Sequence, residues 1–200
     1  MKAEHLFFYD AETTGLYPER HAIIQHAAVK TDLKFNVIAY FQTLVRPFDG
    51  AEIDDIALSV SGRTREELEK APRGWEAASA LWEFASLYGS EKPRFAGFNC
   101  KFDLGMLAAE WKRYGMLPPY SVPWLCGMET ARQKFPVLPK QTCDKPYCDP
   151  CRGHTHRLVD VCQHLGIKIK AHDAMGDLKG TITALKLMLK EVEPIEAHEE

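Results

Sequence analysis

One stretch constrains what this chain can fold into: Phe7-Phe8-Tyr9-Asp10-Ala11-Glu12-Thr13-Thr14-Gly15. An apolar run of strand formers ends in two carboxylates one residue apart. Residues i and i+2 of a strand point to the same face, so Asp10 and Glu12 project together while Ala11 turns away. Thr13-Thr14-Gly15 then leads into a turn, where a glycine permits positive φ. Paired carboxylates repel, and either a shared proton or a bound cation relieves them. Hard oxygen ligands of this kind suit Mg²⁺ or Mn²⁺.

The rest of the chain reads as one α/β domain around that strand. Leu6–Asp10, Ala22–Lys30 and Val37–Val45 read as three strands of an antiparallel meander. Asp54–Ala71 reads as loop or short helices, most helical at Arg65–Leu68. Trp75, Ala78, Leu81, Trp82, Ala85 and Tyr88 fall at helical spacing, with Gly89 as the stop. A short strand at Arg94–Phe98 precedes a helix from about Lys101 to Gly115, and another helix covers Met128–Phe135. His156–Leu165 and Ala174–Lys190 are the last two helices, the second carrying the stripe Leu178, Ile182, Leu185 and Leu189. Strands first, then helices alternating with strands, predict a mixed sheet. The domain spans 1–192. It is interrupted at 137–155 by a Pro- and Cys-rich insertion without periodicity and followed at 193–200 by an acidic tail expected to be disordered.

Composition limits the setting. No stretch approaches the roughly 18 apolar residues of a membrane span. Met1–His5 lacks the apolar core of an export signal, so the chain reads as cytoplasmic. Its six cysteines are then thiols or metal ligands rather than disulfides. The net charge of −3 speaks against a nucleic-acid partner only until its distribution is considered. Residues 191–200 hold five glutamates and no lysine or arginine, which leaves +2 on residues 1–190. A pair of divalent cations would raise that body to +6, attractive to phosphates.

Two more acidic positions stand at element ends. Asn99 and Asp103 are four apart where a strand gives way to a helix. His172-Asp173-Ala174-Met175-Gly176-Asp177 opens the last helix. Asp10 through Gly15, Asn99 through Asp103 and His172 through Asp177 resemble, in order and spacing, the three motifs of the DEDDh (DnaQ-like) 3′→5′ exonucleases. Trp124–Arg132 is similar to a segment of bacterial single-strand exonucleases of that family. The resemblance covers residues 5–190. It implies a ribonuclease H-like fold whose mixed five-stranded sheet has the order 3-2-1-4-5. It also implies two divalent ions on Asp10, Glu12, Asp103 and Asp177, with His172 deprotonating the attacking water. Asp173 competes for the metal role, but the family spacing selects Asp177 and leaves Asp173 to cap the helix. The chemistry agrees: two metals roughly 3.5–4 Å apart activate water and neutralise the developing charge, and imidazole titrates near neutrality.

Further positions follow from the resemblance. Thr14, Gly15 and Leu16 are expected at the terminal nucleotide, with Leu16 as an apolar wedge, and Asn99 at a phosphate or sugar. Many relatives carry histidine before this asparagine; here it is Phe98, read as a core aromatic ahead of a stacking face. The implied activity is removal of nucleoside monophosphates from a 3′ end, with single-stranded DNA favoured. The alternatives are RNA trimming, a polymerase proofreading subunit, or a non-catalytic nucleic-acid-binding module. Outside the resemblance, Cys143, Cys148, Cys151 and His154, with His156 as the alternative fourth ligand, have the donor types of a structural Zn²⁺ site.

Overall fold

A computed structural model describes residues 5–86, 94–116, 124–135, 156–169 and 173–190. Five strands form one sheet: β1 (His5–Thr13), β2 (Ile23–Asp32), β3 (Val37–Leu44), β4 (Arg94–Gly97) and β5 (Trp124–Cys126). The helices are α1 (Asp55–Ser61), α2 (Arg65–Glu69), α3 (Gly74–Ser86), α4 (Cys100–Arg113), α5 (Gly127–Lys134), α6 (Leu158–His164) and α7 (Ala174–Lys190). The sheet order is β3-β2-β1-β4-β5. β1, β2 and β3 pair antiparallel, while β4 runs parallel to β1 and β5 parallel to β4. The insertion at 137–155 and the tail at 193–200 lie outside the described residues.

The central strand is buried on both faces, which explains its run of large apolar residues. Leu6 and Phe8 pack with Ala27, Val29 and the inner side of α7 through Leu178, Ile182 and Leu185. Phe7 and Tyr9 face the other way, onto α3 through Ala78 and Leu81 and onto α4 through Met106, Leu107 and Trp111. The first three strands and α7 lie close to where the sequence puts them, with one larger difference of extent. β1 runs on to Thr13, because its pairing with β2 continues to Thr13–Ile23 across an irregularity after Glu12. β5 is only three residues long, too short to show a period, and exists because it pairs with β4.

Two helical stripes are buried in part only. Trp75 and Trp82 are 52% and 46% exposed, and α3 buries its smaller side, Ala77, Ala78, Leu81, Phe84 and Ala85. At the C-terminal end of α7, Leu189 is 37% exposed while Met188 is fully buried.

A polar network lies inside the face beneath α4. The Tyr9 hydroxyl is 2.8 Å from Nδ1 of His26, and Nε2 of His26 is 3.1 Å from Oε2 of Glu110. The second contact is at ion-pair distance but off the alignment of a hydrogen bond. All three side chains are buried. Burial foremost, then the charge of Glu110, holds the Tyr9 phenol well above its ordinary value. Tyr9 therefore stays protonated. Its hydroxyl bonds Nδ1 of His26, and Nε2 of the same ring faces Glu110. Glu110→Ala should cost about 1–3 kcal/mol, because it leaves the buried imidazole without its polar neighbour. Urea denaturation at neutral pH measures this loss, and Glu110→Gln should lose less.

Candidate active site

Asp10 and Glu12 sit in the last turns of the pleat of β1, on the face that Leu6 and Phe8 turn toward α7. Pairing of β1 with β4 stops at Phe8–Ala96, so the next part of β1 has no strand on that side. α4 fills the space. Its first-turn Asp103, only 5% exposed, accepts a hydrogen bond from the Ala11 amide at 3.2 Å. One carboxylate from a helix is thus tied to the backbone between the two carboxylates of the strand.

α7 contributes from the other direction. The Asp173 carboxylate accepts from the Gly176 amide at 3.0 Å, and the Asp173 carbonyl accepts from the Asp177 amide at 2.8 Å. This is the capping expected of Asp173, and it places Asp177 in the first turn of α7.

The electrostatics show that these groups share one neighbourhood. Burial raises the Asp10 carboxyl well above the usual carboxylate range; next come the charges of Asp103, Glu12, Asp177 and Asp173, in that order. Burial likewise pushes Asp103 up to about 8, with Glu12 adding to the rise and the Ala11 amide opposing it. Among the described residues no three Asp, Glu, His or Cys side chains are gathered tightly enough to ligate one ion. The acids act on one another through space, and mutual repulsion favours that spread. The donor set is all hard carboxylate oxygen with a surplus of negative charge, which fits Mg²⁺ or Mn²⁺ as the compensating group.

A pair of thiols lies behind Asp103. Cys100 opens α4 and Cys126 precedes α5; both are buried, as expected of core cysteines, and so is Cys162. The hydrogen bond from Cys100 lowers the Cys126 thiol to about 5 despite burial, helped by the Glu129 and Met128 amides. Its charge in turn raises Asp103. Nothing in the sequence pattern marked this pair.

The turn after β1 departs from expectation in detail. Gly15 does not have positive φ. It is glycine because a Cβ there would lie 2.3 Å from the His21 ring. Thr14 is fully buried, and its polar groups are used within the fold. Its hydroxyl donates to the Glu52 carbonyl at 2.6 Å and accepts from the Ala22 amide at 2.9 Å; its own amide and carbonyl pair with Ala22 and Asp54. Thr14 therefore holds the turn, while Leu16, 71% exposed, stands out from it. Tyr17, also exposed, stacks on His21 with the Arg20 guanidinium 4.6 Å over its ring.

Asn99 is exposed, takes the left-handed conformation at φ 58°, and makes no side-chain cap to α4. Its side chain is thus left uncapped at the exposed start of the helix that carries Asp103. Phe98 is buried in the core against the place where a Cβ on Gly127 would be, so it offers no stacking face. His172 lies outside the described residues, as do Cys143, Cys148, Cys151 and His154. His156 is described, and its Nε2 is 2.6 Å from the Phe135 carbonyl, which engages it within the fold.

The exonuclease family profile RNase_T matches residues 7–185. DNA polymerase III PolC-type of Streptococcus pneumoniae is 26% identical over 185 residues, covering 92% of this chain and 11% of the polymerase. E. coli exonuclease I in complex with a dT13 oligonucleotide superposes with a TM-score of 0.74 at 26% identity, covering 92% of this chain and 40% of that one. The zinc-ion-bound form of the E. coli exonuclease I–single-stranded DNA complex gives 0.78 at 24% identity, covering 96% and 41%, a likeness of fold. This chain thus spans about a tenth of the polymerases and two fifths of the exonuclease I chains it matches. The match over nearly its whole length, on a sheet of order 3-2-1-4-5 with carboxylates converging from β1, α4 and α7, makes the chain a member of the DnaQ-like, DEDD-type exonuclease family with a ribonuclease H-like fold.

Proposed function

We propose that this chain is a divalent-metal-dependent 3′→5′ exonuclease that releases nucleoside monophosphates from a single-stranded 3′ end, DNA in preference to RNA. The observation that carries it is the crowding of four carboxylates from three separate segments, felt at Asp10 as charge from Asp103, Glu12 and Asp177. These four residues would hold the two ions, which supply Lewis acidity and neutralise charge developing on the phosphate. The remaining work falls to the chain. His172 takes the proton of the attacking water. The exposed Leu16 wedges against the terminal base, and the uncapped Asn99 side chain meets the sugar or phosphate. Gly15 contributes by close packing of its turn on His21. DNA is favoured because the exonuclease I relatives were solved with dT13 and dA16 oligonucleotides. A proofreading role beside a polymerase is the second reading, favoured by the alignment with PolC-type polymerases. The soluble-type composition, with no helix among the described residues long and apolar enough to cross a membrane, is consistent with a cytoplasmic enzyme.

End-labelled single-stranded DNA and RNA, each with Mg²⁺, with Mn²⁺ and with chelator, test the reading. Stepwise 3′ shortening that requires metal is expected, and Asp10→Ala should abolish it. The same site sets a pH dependence of stability in the metal-free protein. Asp103 has a folded pKa raised to about 8, so its contribution is fully present below the unfolded value and is lost as pH rises through 8. The metal-free melting temperature should therefore fall between about pH 5 and 8. Asp103→Asn should flatten that fall, and added Mn²⁺ should reverse it in wild type only.

His172→Ala should lower turnover by about 10²–10⁴-fold with little change in KM, and its pH–rate profile should lose the limb near neutrality. A change confined to KM would make it a binding residue. For the insertion, we propose one Zn²⁺ on Cys143, Cys148, Cys151 and His154, since thiolates select zinc over Mg²⁺ and His156 is engaged elsewhere. Elemental analysis of protein purified without chelator should find about one zinc per chain, released by Cys148→Ser with Cys151→Ser.

A further inference from the structure

β1 and β3 run in the same direction, because each pairs antiparallel with β2. Their ends therefore share one edge of the sheet. Glu12 pairs with Gln25 and Gln25 with Leu44, so Leu44 lies two strand spacings, roughly 10 Å, from the carboxylate end. Just past Leu44 a cleft of about 280 Å³ opens, lined by Arg46, Phe48, Asp49, Arg73, Trp75 and Tyr114.

Three observations distinguish this cleft from ordinary surface. Trp75 begins α3 yet is 52% exposed, so a large aromatic ring is left out of the core on this side. The ion pairs among the described residues engage neither Arg46 nor Arg73, and Asp49 is the one acid of the lining. The cleft is also linked to the turn after β1 through Arg113. Arg113 donates to the Pro18 carbonyl at 3.3 Å while its guanidinium lies 3.6 Å over the Phe48 ring. From Leu16 and Tyr17 through Arg113 and Phe48 to Trp75, apolar or aromatic surface alternates with arginine.

We propose that this cleft is a second nucleic-acid subsite, which holds the single strand upstream of its 3′ end; it rests on the nuclease reading of the carboxylate end. Trp75 stacks on a base, and Arg46 and Arg73 pair with the adjoining phosphates. Aromatic faces accept any base and arginine forks match phosphate oxygens, so the contact is tolerant of sequence. At about 3.4 Å or more per nucleotide, a span of roughly 10 Å takes up to about three nucleotides, so the held base lies upstream of the one being removed. The subsite therefore gives long strands an advantage that the shortest fragments lack.

The test compares two substrates in Mn²⁺: thymidine 5′-monophosphate p-nitrophenyl ester, which reaches only the carboxylate end, and an oligothymidylate of about 15 nucleotides, which reaches both. Trp75→Ala and the double variant Arg46→Ala with Arg73→Ala should each raise KM for the oligonucleotide roughly 5- to 50-fold. Their kcat and their turnover of the ester should stay at wild-type values, and Trp75→Phe should restore most of the lost KM. Unchanged thermal melting shows that the variants are folded. Oligonucleotide KM values equal to wild type in both variants would overturn the subsite, and a cleft serving a protein partner instead gives that result. Should wild type hydrolyse neither substrate, the nuclease reading fails separately. Fluorescence anisotropy of labelled oligothymidylate without metal then decides the subsite: weaker binding by the variants supports it and equal binding overturns it.

Discussion

Like-charge crowding at the end of β1 is the constraint to which the rest of the structure answers. Carboxylates brought this close in a partly buried setting destabilise the metal-free fold. They persist only where the surrounding packing overrides them. That packing is the double burial of β1: Phe7 and Phe8, on opposite faces, are almost fully inaccessible, and each joins a different apolar layer. Both layers must form for the strand to be held, so the acids are fixed by cores on two sides rather than by their own contacts.

The same strand receives polar support. The Ala11 amide fixes Asp103, and Tyr9 joins His26 and Glu110 in the layer beneath the same helix. Glu110 and Asp103 both belong to α4, so that helix is tied to β1 and β2 at two points along its length. A helix anchored twice cannot rotate to move its first-turn carboxylate, and ligand geometry of this kind depends on such preorganisation.

The placement of the acids was legible because it is local in sequence: a strand ending in carboxylates, a helix start with Asp103, and a helix start with Asp177. Other features were hidden for physical reasons. β5 has three residues and no period of its own; only its pairing with β4 defines it. Gly15 reads as a conformational glycine, yet its requirement is space for the His21 ring six residues on, which no local pattern encodes. Thr14 looks like a substrate contact until its partners, Ala22, Glu52 and Asp54, are known. The spacing of Trp75 and Trp82 is helical and truly so, but period alone does not say which side of an amphipathic helix meets the sheet. Small residues win that position on α3 because they allow close approach to β2 and β3, and the tryptophans are left outward.

Those partners of Thr14 also explain how an exposed turn can be precise. Thr14 connects three segments at once, β1, the start of β2 and the strand-like stretch at Glu52–Asp54, and its amide, carbonyl and hydroxyl are all spent inside the fold. The Tyr17 amide donates to Nδ1 of His21 at 3.0 Å, and Gly15 packs on the same ring. Leu16 is thus bracketed by two residues that cannot move without breaking buried contacts. An apolar side chain that is highly exposed yet sits on a rigid base loses little conformational freedom when it meets a planar base, and that saving appears as affinity. Under the proposed function, the rigidity of the turn and the charge of the strand it follows are complementary: the one would place the end of the substrate, and the other would be met by the cations that act on it.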